Sequence, residues 1–234
     1  MQSTKREKKI TVKFFLNEAV EPVRGEGKKK CFPLYVQVTY NRKNMQFKSK
    51  YSEYYERLEE VKSSLLQFEE RVIKSTVTYE AANVKEEYDL KGLKKKYEVY
   101  STSILEALEH YLKPKLRLAV LKTGSELSMV LNFTDANVTV NLLYEAALLL
   151  FKDFDSCLPD KIKEELEAYN QYQKFYRPVL TYNFPTLIDW LDGGYRRELE
   201  MKLDDAFKNK PELIKSIKSL IDHSVKEKLK ELVE

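Results

Sequence analysis

Over roughly the first fifty residues, apolar and polar positions alternate with a period of two; beyond them, apolar positions recur with the period of a helix. In the first run, Ile10, Val12, Phe14 and Leu16 fall on one face of a predicted strand, and Thr11, Lys13 and Phe15 on the other. A polar loop follows, with Arg24, Gly25, Gly27 and Lys28 to Lys30. From Phe32 to Tyr40 the alternation is clean: Leu34, Val36, Val38 and Tyr40 against Tyr35, Gln37 and Thr39. Pro33 has no N–H for a ladder, so it fits only at the start of that strand or on an edge. Asn41 to Asn44 are four turn-compatible residues, and Met45 to Ser49 reads as the returning strand of a hairpin. A small antiparallel three-stranded sheet is the expected product.

The helical period opens with Ser52 as N-cap and Glu53 in the first turn, followed by Tyr54, Leu58, Val61, Leu65, Phe68 and Val72 on one stripe. The sheet's apolar face needs a cover, and this helix is the nearest candidate. Thr76 to Thr78 weakens the helical signal and predicts a break. Further on, Ser101 or Ser103 opens a helix through Leu112, which Pro114 should end or kink. Asp135 or Asn137 caps another through Leu150, and Glu126 to Phe133 fits helix or strand equally well. Pro159 and Pro185 suit first helical positions, and Gly193 with Gly194 should terminate the second of these helices. Tyr195 to Phe207 and Pro211 to Val233 complete the set. The expected fold class is α+β: a small N-terminal antiparallel three-stranded sheet packed on a helix, followed by a mostly α-helical body. The expected domains are residues 1–75 and 76–234.

Charge changes the picture. The net charge of +4 hides an asymmetry: residues 1–51 carry 13 Lys or Arg against 4 Asp or Glu, whereas the rest of the chain is mildly acidic. A basic segment joined to an acidic body is the electrostatic footprint of a module that meets a polyanion. Around the polar face of the predicted sheet lie Lys13, Tyr35, Gln37, Thr39, Gln46 and Lys48, rimmed by Arg42, Lys43 and Lys50. Amide side chains can bond base edges in the major groove, which admits a β-ribbon, and cations at the rim can neutralise phosphates. A polar outer face is also what any half-buried antiparallel sheet shows, and the basic excess is what favours DNA. The basic run Lys91 to Lys96 has acidic neighbours, Glu86, Glu87, Asp89 and Glu98, and reads as a solvated face.

The stretch from Phe32 to Ser49, preceded by the strand from Ile10 to Leu16, resembles the N-terminal arm-type DNA-binding domain of Bacteroidetes-type tyrosine recombinases (integrases). That resemblance covers about a fifth of the chain. It implies a three-stranded sheet and a helix that bind arm sites, with the sheet inserted in the major groove. It places Tyr35, Gln37, Thr39, Arg42, Lys43, Gln46 and Lys48 on or beside the DNA-facing surface. This chain departs from the family pattern twice: Gln37 stands where an arginine is common, and Arg42 where the turn often has glycine.

The recombinase catalytic domain is not matched. It would need a His-x-x-Arg element, but His110 and His223, the only histidines, are each followed three residues later by lysine. Neither histidine has a second His or Cys at ligand spacing, and no phosphate-binding glycine loop or dinucleotide fingerprint occurs. No cofactor and no metal site are expected. Tyrosine is abundant at 16 residues; the late group of Tyr169, Tyr172, Phe175, Tyr176 and Tyr182 is read as packing rather than base stacking. Two distant cysteines and a charge where a signal peptide would be apolar point to a reducing cytoplasm, and the longest apolar stretch is too short for a membrane span. The expectation is a non-enzymatic protein that binds double-stranded DNA as an accessory or regulatory factor of a mobile genetic element. A homodimer or a recombinase partner remains open for the helical body. With five to seven cationic contacts, affinity should fall roughly a thousandfold between low and moderately high salt. The alternative is a protein-interaction scaffold whose helical body dimerises or binds a partner.

Overall fold

A computed structural model describes residues 9–24, 30–51, 53–84, 87–123, 138–176 and 184–233. Strands β1 (Thr11–Leu16), β3 (Lys30–Tyr40) and β4 (Lys43–Lys48) form an antiparallel sheet in the order β1-β3-β4. The first residues of β3 pair instead with two short strands, β2 (Val23–Arg24) and β5 (Tyr54–Tyr55). Pro33 is therefore the fourth residue of β3 and not its first, and it takes the other place open to it, an edge. β1 ends at Leu16, opposite Leu34, so no strand there asks Pro33 for the N–H it lacks, and its carbonyl accepts from the Asn17 N–H at 3.1 Å.

The chain divides into two compact units, one reaching Ser101 and the other starting at Thr102. In the first, Val36, Val38 and Phe47 are buried on one sheet face, and Leu34 clusters with Val61 and Leu65 over Phe14, Leu16 and Tyr51. The helix that covers them does not begin at Ser52, which lies outside the described residues. Tyr54 and Tyr55 form β5, a 3-10 turn spans Leu58–Glu60, and α1 runs from Ser63 to Asn83. Aromatic residues favour strands, and the open start of β3 supplies the pairing. The expected break at Thr76 to Thr78 is absent. Thr76 turns its hydroxyl onto the Val72 carbonyl at 2.8 Å, and Ile73, Thr76, Val77 and Glu80 extend the buried stripe by two turns. Helix α2 (Leu93–Tyr100) brings the Tyr97 ring within 5.5 Å of Phe47. Of the lysine-rich run, Lys91, Lys94 and Lys95 are exposed, as a solvated face requires, and Lys96 pairs with Glu80.

The second unit is helical: α3 (Ile104–Leu121), α4 (Val140–Leu150), α5 (Phe154–Cys157), α6 (Asp160–Phe175), α7 (Leu187–Leu191), α8 (Gly193–Ala206) and α9 (Pro211–Lys228). Ser103 caps α3 by accepting from the Glu106 N–H at 3.0 Å. Pro114 does not end α3. It sits on the exposed face, while Leu108, Leu112, Leu116 and Val120 are fully buried on both sides of it, so packing outweighs the lost backbone bond. Thr139 caps α4, whereas Asp135, Asn137 and the ambiguous Glu126 to Phe133 stretch lie outside the described residues. Gly193 and Gly194 do not stop a helix but start one: Asp192 accepts from the Gly194 N–H at 2.9 Å and caps α8. Tyr169 and Tyr172 are buried, as their packing role requires, and Tyr182 lies outside the described residues. Among the described residues no helix is long and apolar enough to cross a membrane.

Candidate nucleic-acid interface

Side chains of residues directly opposite in a sheet share a face, so the register of β1, β3 and β4 sorts every predicted site residue. On the face turned away from the core, three rows cross the sheet: Thr11, Thr39 and Asn44; Lys13, Gln37 and Gln46; Phe15, Tyr35 and Lys48. Six of the predicted residues meet there. Thr39 donates its hydroxyl to Asn44 Oδ1 at 2.6 Å, and Gln46 Nε2 donates to Gln37 Oε1 at 2.9 Å. The Phe15 and Tyr35 rings lie 6.0 Å apart, and Lys48 Nζ sits 5.2 Å from the centre of the Tyr54 ring. Thr11, Phe15 and Asn44 complete the rows and were not among the predicted site residues. Alternation already placed Thr11 and Phe15 on this face; Asn44 was hidden because four turn residues were expected where two suffice.

The remaining three predicted residues lie elsewhere. The hairpin turn consists of Asn41 and Arg42 alone, both with positive φ (51° and 64°), which is the backbone of a type I′ turn. Arg42 is exposed at its tip. Lys43 opens β4 opposite the buried Tyr40 and so belongs, by register, to the core-side row, although it is exposed at the hairpin end. Lys50 Nζ bonds the Glu98 carbonyl and the Ser101 hydroxyl, each at 3.2 Å, at the end of α2. Lys50 is thus anchored within the sheet-and-helix unit instead of lining the polar face.

Arg42 occupies a conformation that glycine or asparagine adopts far more cheaply, at a cost of about 1 kcal/mol or somewhat more. Arg42→Gly should therefore stabilise the protein by about 1 kcal/mol in a denaturant titration while weakening duplex binding several-fold. A variant that gains stability with no loss of affinity would remove Arg42 from the interface.

Behind the sheet, Glu69 on α1 is fully buried and accepts from the Ser49 hydroxyl at 2.9 and 2.8 Å, from the Tyr97 hydroxyl and from the Lys50 N–H. Four groups on three segments are thereby tied together, which fixes the end of β4 under the polar face. Burial raises the Glu69 carboxyl above its ordinary value, and the bonds from Tyr97, Ser49 and Lys50 offset part of that rise.

Several lysines and arginines elsewhere lie on carboxylates: Lys74 on Glu70, Lys96 on Glu80, Lys115 on Glu165, Arg196 on Glu200 and Lys218 on Asp204. Among the described residues, Lys13, Arg42, Lys43 and Lys48 form no ion pair. No family model, curated protein or solved structure matches the chain. Elsewhere, His223 is held at 2.6 Å by the Ser219 carbonyl and stacks on Tyr111, and His110 lies 3.8 Å from Glu231. The described residues contain no group of three His, Cys, Asp or Glu able to hold a metal ion.

Proposed function

We propose that the protein is a non-enzymatic, cytoplasmic duplex-DNA-binding protein that lays its N-terminal sheet in the major groove. The observation that carries this reading is a three-row polar face that brings amides, aromatic rings and cations without a carboxylate partner among the described residues onto one side of the sheet. Cations gathered on one face without carboxylates raise a positive potential that attracts a polyanion. Size supports the fit: three strands about 4.8 Å apart span about 10 Å, within the roughly 12 Å width of the groove. The chemistry supports it too. Gln37, Gln46 and Asn44 carry the amides that recognise base edges, Phe15 and Tyr35 offer apolar surface to a thymine methyl, and Arg42 and Lys43 at the hairpin end reach toward the phosphates flanking the groove. The likeness to the arm-type domain of tyrosine recombinases adds a biological setting, an accessory or regulatory factor of a mobile element.

The test is fluorescence anisotropy of the full chain with labelled duplex at several salt concentrations. Lys13, Lys48, Arg42 and Lys43 supply about four phosphate contacts, fewer than the five to seven counted when Lys50 and the flanking cations are included. Affinity should then fall about a hundredfold between 50 and 200 mM salt. Absence of duplex binding at 50 mM would overturn the reading.

A further inference from the structure

Resting on that reading, we infer that the cross-strand pair Gln37 and Gln46 selects adenine at one position of the DNA site. The two residues are register partners on adjacent strands, and Gln46 Nε2 donates to Gln37 Oε1 at 2.9 Å. An amide has one acceptor oxygen and a nitrogen with two N–H donors. Joining two amides by one such bond uses a single hydrogen and a single lone pair. The four polar atoms then lie in the order oxygen, nitrogen, oxygen, nitrogen: the Gln46 carbonyl, its NH₂, the Gln37 carbonyl and its NH₂. Every neighbouring pair in that row combines one acceptor with one donor. Turning both amides over reverses the direction of the bond and preserves the alternation.

This alternation discriminates among bases. In the major groove adenine presents an acceptor, N7, beside a donor, the N6 amino group, and so matches any two neighbours in the row. Guanine presents two acceptors, N7 and O6, and needs two neighbouring donors, which the row nowhere offers. Thymine presents an acceptor and a methyl group, and cytosine an amino donor without the adjacent acceptor. Because each amide restrains its neighbour, the row is ordered before DNA arrives, and less side-chain entropy is lost on binding than two independent glutamines would lose. Lys13, in the same row on the far side of Gln37, adds a cation that favours the approach without altering the amide pattern.

The experiment begins by selecting duplexes bound by the full chain from a random pool. Single-position variants of the winner are then compared by anisotropy at one fixed salt concentration. One adenine should be required, with guanine or 7-deazaadenine in its place binding on the order of tenfold more weakly. Replacing both glutamines, Gln37→Met with Gln46→Met, should erase that discrimination while leaving the salt slope unchanged, because no cation is touched. Gln46→Glu puts two acceptors side by side and should shift the preference from adenine toward cytosine. Both positions lie on the polar face and Gln46 is exposed, so circular dichroism of the variants should match the parent. Duplex binding with no adenine requirement, or discrimination that survives the double methionine variant, overturns this inference and leaves the major-groove reading in place. Failure of the parent chain to bind any duplex at low salt overturns both.

Discussion

Replacing Lys13 and Arg42 together with glutamate should weaken duplex binding on the order of a hundredfold at 100 mM salt. Each reversal does more than delete a contact. It removes a cation that releases condensed counterions and places an anion against the phosphates. The salt dependence is the sharper readout: with two of about four contacts gone, the slope of log affinity against log salt should drop by about 1.8. Both side chains are exposed and without an ion pair among the described residues, so thermal stability should change by no more than about 0.5 kcal/mol. Lys43→Glu provides an internal contrast. Lys43 shares its row with Tyr40 on the core side, and its reversal alone should cost less than that of Lys13, which stands in the central row of the polar face. No effect of the double reversal would mean that DNA contacts a different surface.

The largest effect on stability belongs to Glu69. Glu69→Ala leaves the Ser49 and Tyr97 hydroxyls and the Lys50 N–H without their shared acceptor and opens a cavity between α1 and the end of β4. A loss of about 3 to 5 kcal/mol is expected, measurable in urea with the full chain. Glu69→Gln keeps the shape and one acceptor oxygen, and the two hydroxyls can rotate to accept from the new NH₂, so a much smaller loss is expected. The pair of variants also isolates a pH effect whose sign is set by burial. A carboxyl raised in the folded state binds its proton more tightly there than in the unfolded chain, where its value is near 4.5. The ionised group therefore costs stability at neutral pH, and the cost is relieved as pH falls from the raised folded value toward 4.5. Relative to the Gln variant, the parent chain should gain stability on acidification through that window. A parent that loses ground to Glu69→Gln as pH falls would show the opposite shift and refute the assignment.

Much of the sheet was legible because alternation has only two phases. Once Val36 and Val38 are assigned to the core, Tyr35, Gln37 and Thr39 have nowhere to go but the other face. The α+β class, the covering helix and the Ser103 cap were legible for the same reason: period and capping chemistry act over a few residues and do not depend on the rest of the fold. Boundaries were less so. Tyr54 and Tyr55 read equally well as the first apolar turn of a helix, and only the vacant start of β3 decided for a strand. At Thr76 and Pro114 local propensity pointed to breaks that burial of the flanking side chains overrode. Gly193 and Gly194 show the converse, since a glycine pair after a short helix closes one or opens the next according to whether Asp192 turns back to cap.

For the candidate site, residue type and strand phase came from the chain itself: which side chains are cationic, which are amides, and which alternate away from the core. Turn length and pairing came only with the folded sheet. A two-residue turn in place of four shifts Asn44 into the top polar row and Lys43 onto the core side, and the α2 end draws Lys50 away. The Gln37 to Gln46 bond likewise depends on two residues nine positions apart meeting in one register. The physical reason is range: periodicity and propensity are written in neighbouring residues, whereas register and side-chain partners are chosen by the packing of segments distant in sequence.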